Sequence, residues 1–499
     1  MVHPGRTAVV IVGGGPVGML LAAELGGYGV RTLVLEADAA TSERPKATTL
    51  HARTVQCLAR RGYLPAPEPT RLEGSVSSPF HFAGLPGLQI TAPASEPDPI
   101  LKRPQAELER LFETRARARG AKVLREHRVV ELHQGTDGMR IAADGPHGRT
   151  FFESAYVVGA DGARSTVRKL AGIESESWPA TVSAMMGLVR VEGADAPVAG
   201  WHRTPRGWVT VKEDTDGTHI RTLNYASPRA DCSLDPSLEE LRRETSWILG
   251  QEIAMSAPRW LSRFSDFTRL ARTYRAGRVL LAGDAAHVHF PIGGQGLSTG
   301  LLDVLNLGWK LALTVRGEAS EGLLDSYDAE RRPAARRVVD NTRAQVTLMD
   351  PDARFDALRS VFGGLLAKDG PHGPLSSMIS AQDTVVAGSP GDLSRWEGRF
   401  LPNLPLRTEA GPTDVIRLLQ DGRMLLLLFG VHGDGHEKAA QKWAHVLRVV
   451  RAERVADVSC NALLLRPDGY VAWASDGDDL DATLAVYLAS GRTFIGTAP

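Results

Sequence analysis

The sequence predicts a mixed α/β protein of two or three domains, and three observations support this prediction. The length of 499 residues exceeds what one hydrophobic core usually organises. Two widely separated segments have the pattern of a buried strand, a glycine-rich turn and a helix, which indicates a parallel sheet covered by helices. Between about 183 and 275 apolar and polar residues alternate instead, as in antiparallel strands with one solvated face.

The first strand–turn–helix segment lies at the start of the chain. It contains, in order, a mostly β-branched strand, three glycines spaced G-x-G-x-x-G, a second strand and an acid: Ala8–Val12, Gly13, Gly15, Gly18, Thr32–Leu35 and Glu36. Such glycines allow a tight turn, a close backbone approach to a pyrophosphate and close helix packing, and the acid accepts hydrogen bonds from a ribose. The segment therefore predicts a Rossmann-like dinucleotide site in preference to a plain glycine-rich turn.

The second segment covers Arg278–Ala312. Its strand ends at Gly283 and Asp284, and its helix has an apolar face. The loop between them holds Pro291, Gly293, Gly294, Gln295 and Gly296. A strand that delivers an acid, followed by glycines and a helix N-terminus, suits a polar and partly anionic ligand.

Weaker signals accompany these segments. Asp161-Gly162 ends another buried strand, although Asp-Gly is also a common plain turn. His287 and His289 have no third metal ligand near them in sequence, so we favour structural hydrogen bonds over a metal site or a catalytic base. A basic group before the second helix suits a solvated face or a loop beside a dinucleotide equally well: Arg44, Lys46 and Arg53.

The remaining chain divides into three parts. We expect residues 1–74, 101–182 and 276–385 to form the dinucleotide domain, with 75–100 and 183–275 as an antiparallel sheet facing it. A long helix is predicted at Leu323–Val346 and a linker at 369–412. Residues 400–499 form a third domain, with strands near Met424–Phe429, Ala462–Arg466 and Tyr470–Ala474 and a helix near Glu437–Val449.

Composition excludes several classes of partner. The formal net charge is zero, which gives no reason to expect nucleic acid or an anionic membrane. No long apolar run and no signal pattern is present, and Cys57, Cys232 and Cys460 show no pairing or metal spacing. We therefore expect a cytoplasmic protein with free thiols, working as a monomer or homodimer.

Taken together, the motifs resemble those of the FAD-dependent aromatic hydroxylases, the single-component flavoprotein monooxygenases of the p-hydroxybenzoate hydroxylase type. Tyr327–Pro333, YDAERRP, is similar to a helix motif of that family. Arg466–Trp473, RPDGYVAW, is similar to part of its thioredoxin-like C-terminal domain. Within the family the likeness is to bacterial hydroxylases of angucycline and anthracycline polyketides.

The resemblance implies non-covalent FAD, with NADPH or NADH and O2 as cosubstrates. The reaction it implies is hydroxylation of a polycyclic aromatic polyketide through a C4a-hydroperoxyflavin. The implied cofactor-binding residues are Gly13, Gly15, Pro16, Val17, Gly18, Glu36, Ala37, Lys46, Arg53, Gln105, Asp161, Gly162, Gly283, Asp284, Pro291, Gly294, Gly296, Leu297 and Ser298. The residues expected at the reacting end of the flavin are Pro291, Gly293, Gly294 and Gln295, and those expected at the substrate are Trp208, Arg221 and Tyr225.

The chain departs from the family pattern at three positions. Ser298 stands where the family usually has Asn, and a hydroxyl that caps the helix would preserve the hold on the flavin. Lys46 stands where related sequences often have Arg. Cys460 is alone, so the C-terminal domain is not a thiol redox module.

Two alternative functions stay open on the same fold. One is a flavin monooxygenase that carries out Baeyer–Villiger insertion or inactivates an antibiotic. The other is a flavin-binding protein without oxygenase activity, which the departure at Ser298 and the missing thiol pair motivate.

Overall fold

The computed structural model describes residues 7–44, 46–67, 74–193, 196–226, 235–368, 370, 373–386, 394–430, 434–475 and 479–488. Within these ranges no helix is both long and apolar enough to cross a membrane. Cys57 and Cys460 are buried thiols that form no disulfide with each other, and Cys232 lies outside the described residues.

A mainly parallel sheet forms the centre of the N-terminal part. Its strands lie in the order Arg275–Ala276, Val279–Leu281, Gly148–Gly159, Thr7–Val12, Thr32–Leu35 and Lys122–Leu124, with Met139–Gly145 and Arg128–Gln134 added to it as an antiparallel extension. Helices Pro16–Gly27 and Gln295–Arg316 pack against each other beside this sheet. Both predicted strand–turn–helix segments are therefore present, because their buried strands are parallel neighbours of Gly148–Gly159.

A five-stranded antiparallel sheet follows in the order Gly200–Thr204, Gly207–Asp214, Gly217–Asn224, Ser183–Glu192 and Ala254–Ser265. Helix Leu238–Leu249 covers one face of it, and the hairpin Ser75–Phe82 with Leu85–Pro93 packs on the other. The sequence places 75–100 and 183–275 in one antiparallel sheet. The hairpin instead forms a two-stranded sheet of its own and contributes apolar side chains, not backbone hydrogen bonds, to the larger one.

The C-terminal part has a six-stranded mixed sheet. Its order is Gly411–Asp414, Pro405–Thr408, Leu447–Ala452, Met424–Phe429, Ala462–Leu465 and Val471–Ala474, and its helices are Val415–Leu419, Asp434–Ala440 and Leu480–Tyr487. The prediction of one helix near Glu437–Val449 is wrong in its second half. After a 3-10 turn at Gln441–Trp443 the chain forms the strand Leu447–Ala452, which pairs in parallel with Met424–Phe429 and contains the β-branched Val449 and Val450.

The predicted linker at 369–412 is also more ordered than its composition suggests. It contains the helix Pro374–Ile379 and the strand Pro405–Thr408, and Ser376 donates a hydrogen bond to the Gln89 carbonyl at 2.5 Å.

The remaining strands are Thr49–His51 paired with Ile100–Lys102, and Ser175–Trp178, Thr268–Ala271 and His287–Val288 in a three-stranded sheet. The remaining α-helices are Ala52–Arg60, Gln105–Ala118, Thr166–Leu170, Ser326–Leu348 and Asp356–Leu366. Four short 3-10 turns are at Gly283–Ala285, Ile292–Gly294, Ala353–Phe355 and Gln441–Trp443.

Candidate cofactor site and active site

The carboxyl edge of the parallel sheet brings the sequence motifs together. Val12 is in register with Gly159, and Gly159 with Leu281, so the turns after these three strands begin at the same level. The two halves also touch, since a Cβ built on Gly283 would lie 3.1 Å from Val17 Cγ2. A ligand that spans both turns would therefore lie along one edge, as ligands of open α/β sheets do.

The three glycines of the first turn have different surroundings. Gly13 has a φ of 106°, a value that favours glycine. A Cβ on Gly18 would lie 2.0 Å from the Gly13 carbonyl oxygen, so that position has no room for a side chain. A Cβ on Gly15 would meet nothing within 4 Å. Gly15 thus leaves open space at the start of the helix that begins with Pro16 and Val17, where a pyrophosphate could meet backbone N–H groups.

Glu36 joins the glycine turn to the second strand. Its carboxylate accepts hydrogen bonds from the Gly14 N–H and, at 2.7 Å, from the Asp38 N–H. Glu36 and the following Ala37 are half-buried beside the turn. The carboxylate therefore sits where the motif predicts a ribose acceptor.

Asp284 follows the strand Val279–Leu281 and lies in a cleft. The side chain is solvent-exposed, yet protein surrounds it closely. Burial in the cleft raises the pKa of this carboxyl, an effect that the nearby His287 and Lys46 oppose. Within the described chain no group donates a hydrogen bond to the Asp284 carboxylate, which leaves it free to accept hydroxyl groups of a ligand.

The loop that follows is fixed by backbone geometry. Gly293 and Gly294 have φ values of 73° and 63°, and the His51 ring nitrogen Nε2 bonds the Gly293 carbonyl at 2.7 Å. Burial lowers the pKa of His51 to about 4, so His51 is neutral and donates this bond. The loop runs from Pro291 through the 3-10 turn Ile292–Gly294 and leads directly into the helix that begins at Gln295 and includes Gly296 and Leu297.

Gln295 was expected at the reacting end of the flavin, but its side chain forms hydrogen bonds with other parts of the protein. It is buried, accepts a hydrogen bond from Asn341 Nδ2 at 2.6 Å and donates to the Ile379 carbonyl at 3.3 Å. Its side chain therefore anchors the loop to the helix Ser326–Leu348.

Ser298 does not cap the helix, so that part of the sequence hypothesis is wrong. The helix begins at Gln295 after Gly294 and has no side-chain cap, which puts Ser298 in the fourth helical position. Its hydroxyl instead accepts the His51 N–H at 3.1 Å, and its carbonyl accepts a bond from Thr54. The hydroxyl thus ties the helix to the strand that supports the glycine loop.

The Asp161 side chain forms hydrogen bonds within its own turn. Its carboxylate accepts bonds from the Ser165 hydroxyl at 2.5 Å and from the Thr166 and Val167 N–H groups at 2.7 and 3.0 Å. Gly162 follows with a φ of 77°. The motif therefore shapes the sheet edge, and this carboxylate is already satisfied by the protein.

Three other expected cofactor residues differ in their exposure. Arg53 is 6% exposed, donates to Gln56 Oε1 at 2.8 Å and lies 3.7 Å above the Phe400 ring. Arg53 is therefore buried against Phe400 and does not belong to a solvated basic face. Lys46 is exposed and near enough to Asp284 to lower its pKa. Gln105 begins the helix Gln105–Ala118, and its backbone N–H donates to the Ala47 carbonyl at 3.0 Å.

Two residues that hold this site together, Asp303 and Arg331, were not predicted as site residues from the sequence. Asp303 is fully buried, accepts bonds from His287 Nε2 at 2.7 Å and the Gly283 N–H at 3.1 Å, and pairs with Arg331 Nε at 2.9 Å. Burial tends to raise the pKa of Asp303, but His287 and Arg331 lower it overall. The signal was available, because an acid in the apolar helix stretch LLDVLNLGW must be paired.

Neither loop histidine has the environment of a metal ligand. His287 is bonded to Asp303, and His289 bonds the Phe290 carbonyl at 3.0 Å. Burial lowers the pKa of His289 to about 4. In the part of the chain that the structure describes, no three His, Cys, Asp or Glu side chains group as metal ligands do.

Of the three expected substrate residues, only one keeps free donors. Trp208 Nε1 donates to the Met349 carbonyl at 2.6 Å, and the Tyr225 hydroxyl donates to the Val346 carbonyl at 2.9 Å. Arg221 makes a contact of 3.3 Å to the Met186 sulfur, and its Nε is buried with no hydrogen-bond partner. Trp208 and Tyr225 therefore attach the antiparallel sheet to the helix Ser326–Leu348.

Comparison with known proteins agrees with this geometry. Residues 6–342 match the FAD binding domain family and residues 394–491 match the aromatic-ring hydroxylase C-terminal family. The chain is 38% identical over 490 residues to the 12-dehydrotetracycline 5-monooxygenase/anhydrotetracycline 6-monooxygenase of Streptomyces rimosus, covering 94% of this chain and 95% of that protein. It is 37% identical over 485 residues to the dialkyldecalin synthase of Streptomyces rugosporus, covering 96% and 98%. The crystal structure of an aromatic hydroxylase from angucycline biosynthesis superposes with a TM-score of 0.88 at 33% identity, covering 97% and 99%.

Proposed function

The chain belongs to the FAD-dependent aromatic-ring hydroxylases, and from that premise we propose that it uses NAD(P)H and O2 to hydroxylate a polycyclic aromatic polyketide. The relatives support the substrate class, since one acts on tetracycline precursors and another takes part in angucycline biosynthesis. We further propose that residues 75–100 and 183–275 supply the substrate side, and that the enzyme works in the cytoplasm as a monomer or homodimer.

One observation carries the proposal: the two glycine turns meet at one sheet edge, where Gly15 leaves open space and the Asp284 carboxylate accepts no hydrogen bond from the described residues. The donors and acceptors fit FAD. N–H groups after Gly15 suit the pyrophosphate, Glu36 suits the adenosine ribose and Asp284 suits the ribityl hydroxyls. When bound, FAD supplies the hydride acceptance and oxygen activation that no side chain can provide.

The chain's own residues bind the cofactor and orient it. The helix Gln295–Arg316 begins without a side-chain cap, so its first N–H groups and its positive dipole end favour negative charge at the loop. The His51 and Ser298 contacts hold the loop in one conformation, which limits the reorganisation needed during reaction. Phe290 and Ile292 are buried on either side of the exposed Pro291, and they fix this part of the loop in the apolar core.

The first test is spectroscopic and kinetic. Purified protein reconstituted with FAD should show bound flavin absorbance, and anhydrotetracycline or related polycyclic phenols should stimulate its oxidation of NADPH or NADH. Comparing the two nucleotides decides which is the cosubstrate. Protein that stays colourless after FAD addition would refute the proposal.

A second candidate is a flavin-dependent synthase that forms no C–O bond. The observation in its favour is the similarity to the dialkyldecalin synthase of Streptomyces rugosporus, which this chain matches over 98% of that protein's length. The two candidates differ in the product: a hydroxylase adds one oxygen atom, whereas a cyclising synthase leaves the mass unchanged.

A further inference from the structure

Arg221 lies on the face of the antiparallel sheet that turns towards the glycine loop. Residues alternate along its strand, so Ile220 packs under the helix Leu238–Leu249, while Leu223 joins the core on the opposite face. Arg221 shares the face of Leu223. Its guanidinium lies 5.9 Å from the Phe264 ring, which in turn lies 5.7 Å from the ring of Phe290, next to Pro291.

The Arg221 guanidinium is surrounded by protein but has no anionic partner. The residue as a whole is half-buried. Its guanidinium contacts the Met186 sulfur at 3.3 Å, and burial lowers its pKa without any compensating acid. Nothing in the described ranges forms a salt bridge with it. Burying a cation in this way is costly unless a partner arrives.

The other buried arginines show how this chain normally treats such a charge. Four of them form an ion pair with a carboxylate at 2.6 to 2.9 Å: Arg60 with Glu96, Arg61 with Glu24, Arg331 with Asp303 and Arg466 with Glu330. Arg53, Arg168 and Arg359 are buried without a carboxylate partner, but each donates to a carbonyl or amide oxygen at 2.6 to 2.8 Å. Arg221 differs from both groups, because no oxygen atom of the described chain accepts a hydrogen bond from its guanidinium.

Flat aromatic side chains lie close to Arg221. His81 is near enough for the arginine to lower its pKa, which burial brings to about 4, so His81 is neutral. The His81 ring stacks on Phe80 at 4.9 Å and meets Trp201 at 4.9 Å, and Phe80 meets His51 at 5.2 Å. These rings connect the glycine loop with the sheet and offer apolar faces to a planar ligand.

We propose that Arg221 binds a negatively charged oxygen, an ionised phenol or enol or a carboxylate, on a flat polycyclic substrate held between the antiparallel sheet and the glycine loop. This inference rests on the proposed function and deepens it, because it states which end of the substrate the sheet recognises. The bound anion then forms the charge-assisted hydrogen bonds to the guanidinium that no residue of the described chain forms.

The test measures binding to the FAD-loaded protein without turnover, by equilibrium dialysis. The probes are 2-hydroxyanthraquinone above its phenol pKa, anthraquinone-2-carboxylate, and neutral anthraquinone-2-carboxamide. Wild type should bind at least one anion roughly tenfold or more tightly than the amide. Arg221→Gln should abolish this preference, Arg221→Lys should retain part of it, and the exposed control Arg190→Gln should leave it intact.

A second measurement separates binding from folding. Arg221→Met removes an unpaired buried charge, so its thermal midpoint and FAD content should equal or exceed those of wild type. The inference is overturned if wild type shows no preference for the anions, binds none of the probes, or keeps its preference in Arg221→Gln. A protein that fails to incorporate oxygen yet shows Arg221-dependent binding would contradict only the hydroxylase proposal.

Discussion

Asp284 carries a carboxylate that the described part of the protein leaves without a hydrogen-bond donor, although the cleft around it raises its pKa. The residue is exposed to solvent, so the protein that closely surrounds it only partly limits the hydration of the charged form. Its raised pKa favours the protonated form, so the free protein should lose stability as the pH rises through that pKa. The expected compensation is a ligand hydroxyl.

Replacing Asp284 by Asn therefore separates binding from stability. Asp284→Asn should weaken FAD binding roughly tenfold or more, since hydrogen bonds to a charged acceptor contribute about 1.5–3 kcal/mol. The thermal midpoint of the FAD-free variant should not fall. Fluorescence titration with FAD measures the first effect and thermal unfolding the second; equal FAD affinity would show that this carboxylate is not a ligand.

The Ser298 hydroxyl stabilises the fold by accepting the hydrogen bond of the His51 N–H. In Ser298→Ala the buried His51 N–H loses its acceptor, which should cost about 1–3 kcal/mol of stability and lower the thermal midpoint. FAD should still bind, since no cap is lost. The neighbouring hydroxyl of Thr299, which bonds back to the Gln295 carbonyl at 2.9 Å, provides the control Thr299→Ala. An unchanged midpoint in Ser298→Ala alone would contradict the assignment.

At the scale of elements, the first glycine turn allows a matched pair of variants. Gly15 has φ −71° and free space, so Gly15→Ala should fold normally and gain up to about 1 kcal/mol, yet lose FAD affinity because the methyl group occupies the ligand's approach. Gly18→Ala should instead fail to fold, because its Cβ would clash with the Gly13 carbonyl at 2.0 Å. FAD titration and thermal unfolding distinguish the two; a Gly15→Ala protein with full FAD affinity would place the pyrophosphate elsewhere.

These elements also show what local sequence could predict. The strands, glycine turns and helices around Gly13 and Gly283 were predictable, because glycine spacing and a buried apolar run constrain the backbone within a few residues. The roles of Gln295 and Ser298 were not, because their partners Asn341 and His51 lie far away in sequence. The segment Leu447–Ala452 was mispredicted as helical for the same reason, since its pairing strand decides its conformation.

At the scale of the whole molecule, a buried ionic cluster joins the C-terminal part to the cofactor part. Arg466 pairs with Glu330 at 2.7 Å and with Asp468 at 2.6 Å, and Lys310 approaches Glu330 at 2.9 Å. Glu330 immediately precedes Arg331, which pairs with Asp303 under the glycine loop. Docking of the C-terminal part and order at the loop thus depend on the same helix.

The cluster predicts a pH-dependent stability. Arg466 and Lys310 outweigh the effect of burial and lower the pKa of Glu330 from 4.5 to about 2. A depressed carboxyl pKa contributes stability above 4.5 that is lost as the pH falls towards 2. Glu330→Gln should therefore be about 3–5 kcal/mol less stable near neutral pH, because it leaves buried cations unpaired.

Thermal unfolding from neutral pH down to the lowest pH at which both proteins stay folded checks this prediction. The gap between wild type and Glu330→Gln should narrow below pH 4.5. The exposed Glu321→Gln is the control and should track wild type throughout. A gap that does not change with pH would mean that Glu330 is not held ionised by the cluster.

The motifs at Tyr327–Pro333 and Arg466–Trp473 were recognisable in the sequence, but their meeting was not. Nothing local indicates that Glu330 of the first contacts Arg466 of the second, because a distance of 136 residues in the chain separates them. The environment of Arg221 was equally unpredictable from local sequence. Its place on a strand was predictable, whereas its lack of an acidic partner depends on the tertiary packing around the strand.

We propose that this protein inserts one atom of molecular oxygen into a polycyclic aromatic ring. The test is the reaction of the FAD-loaded enzyme with NADPH or NADH, 18O2, and anhydrotetracycline or a related polycyclic phenol. Mass spectrometry of the product then shows whether oxygen from 18O2 has been incorporated. We predict one 18O atom per product molecule and none when the label is supplied as water. A product of unchanged mass from the FAD-loaded enzyme, or label that comes only from water, would contradict the account.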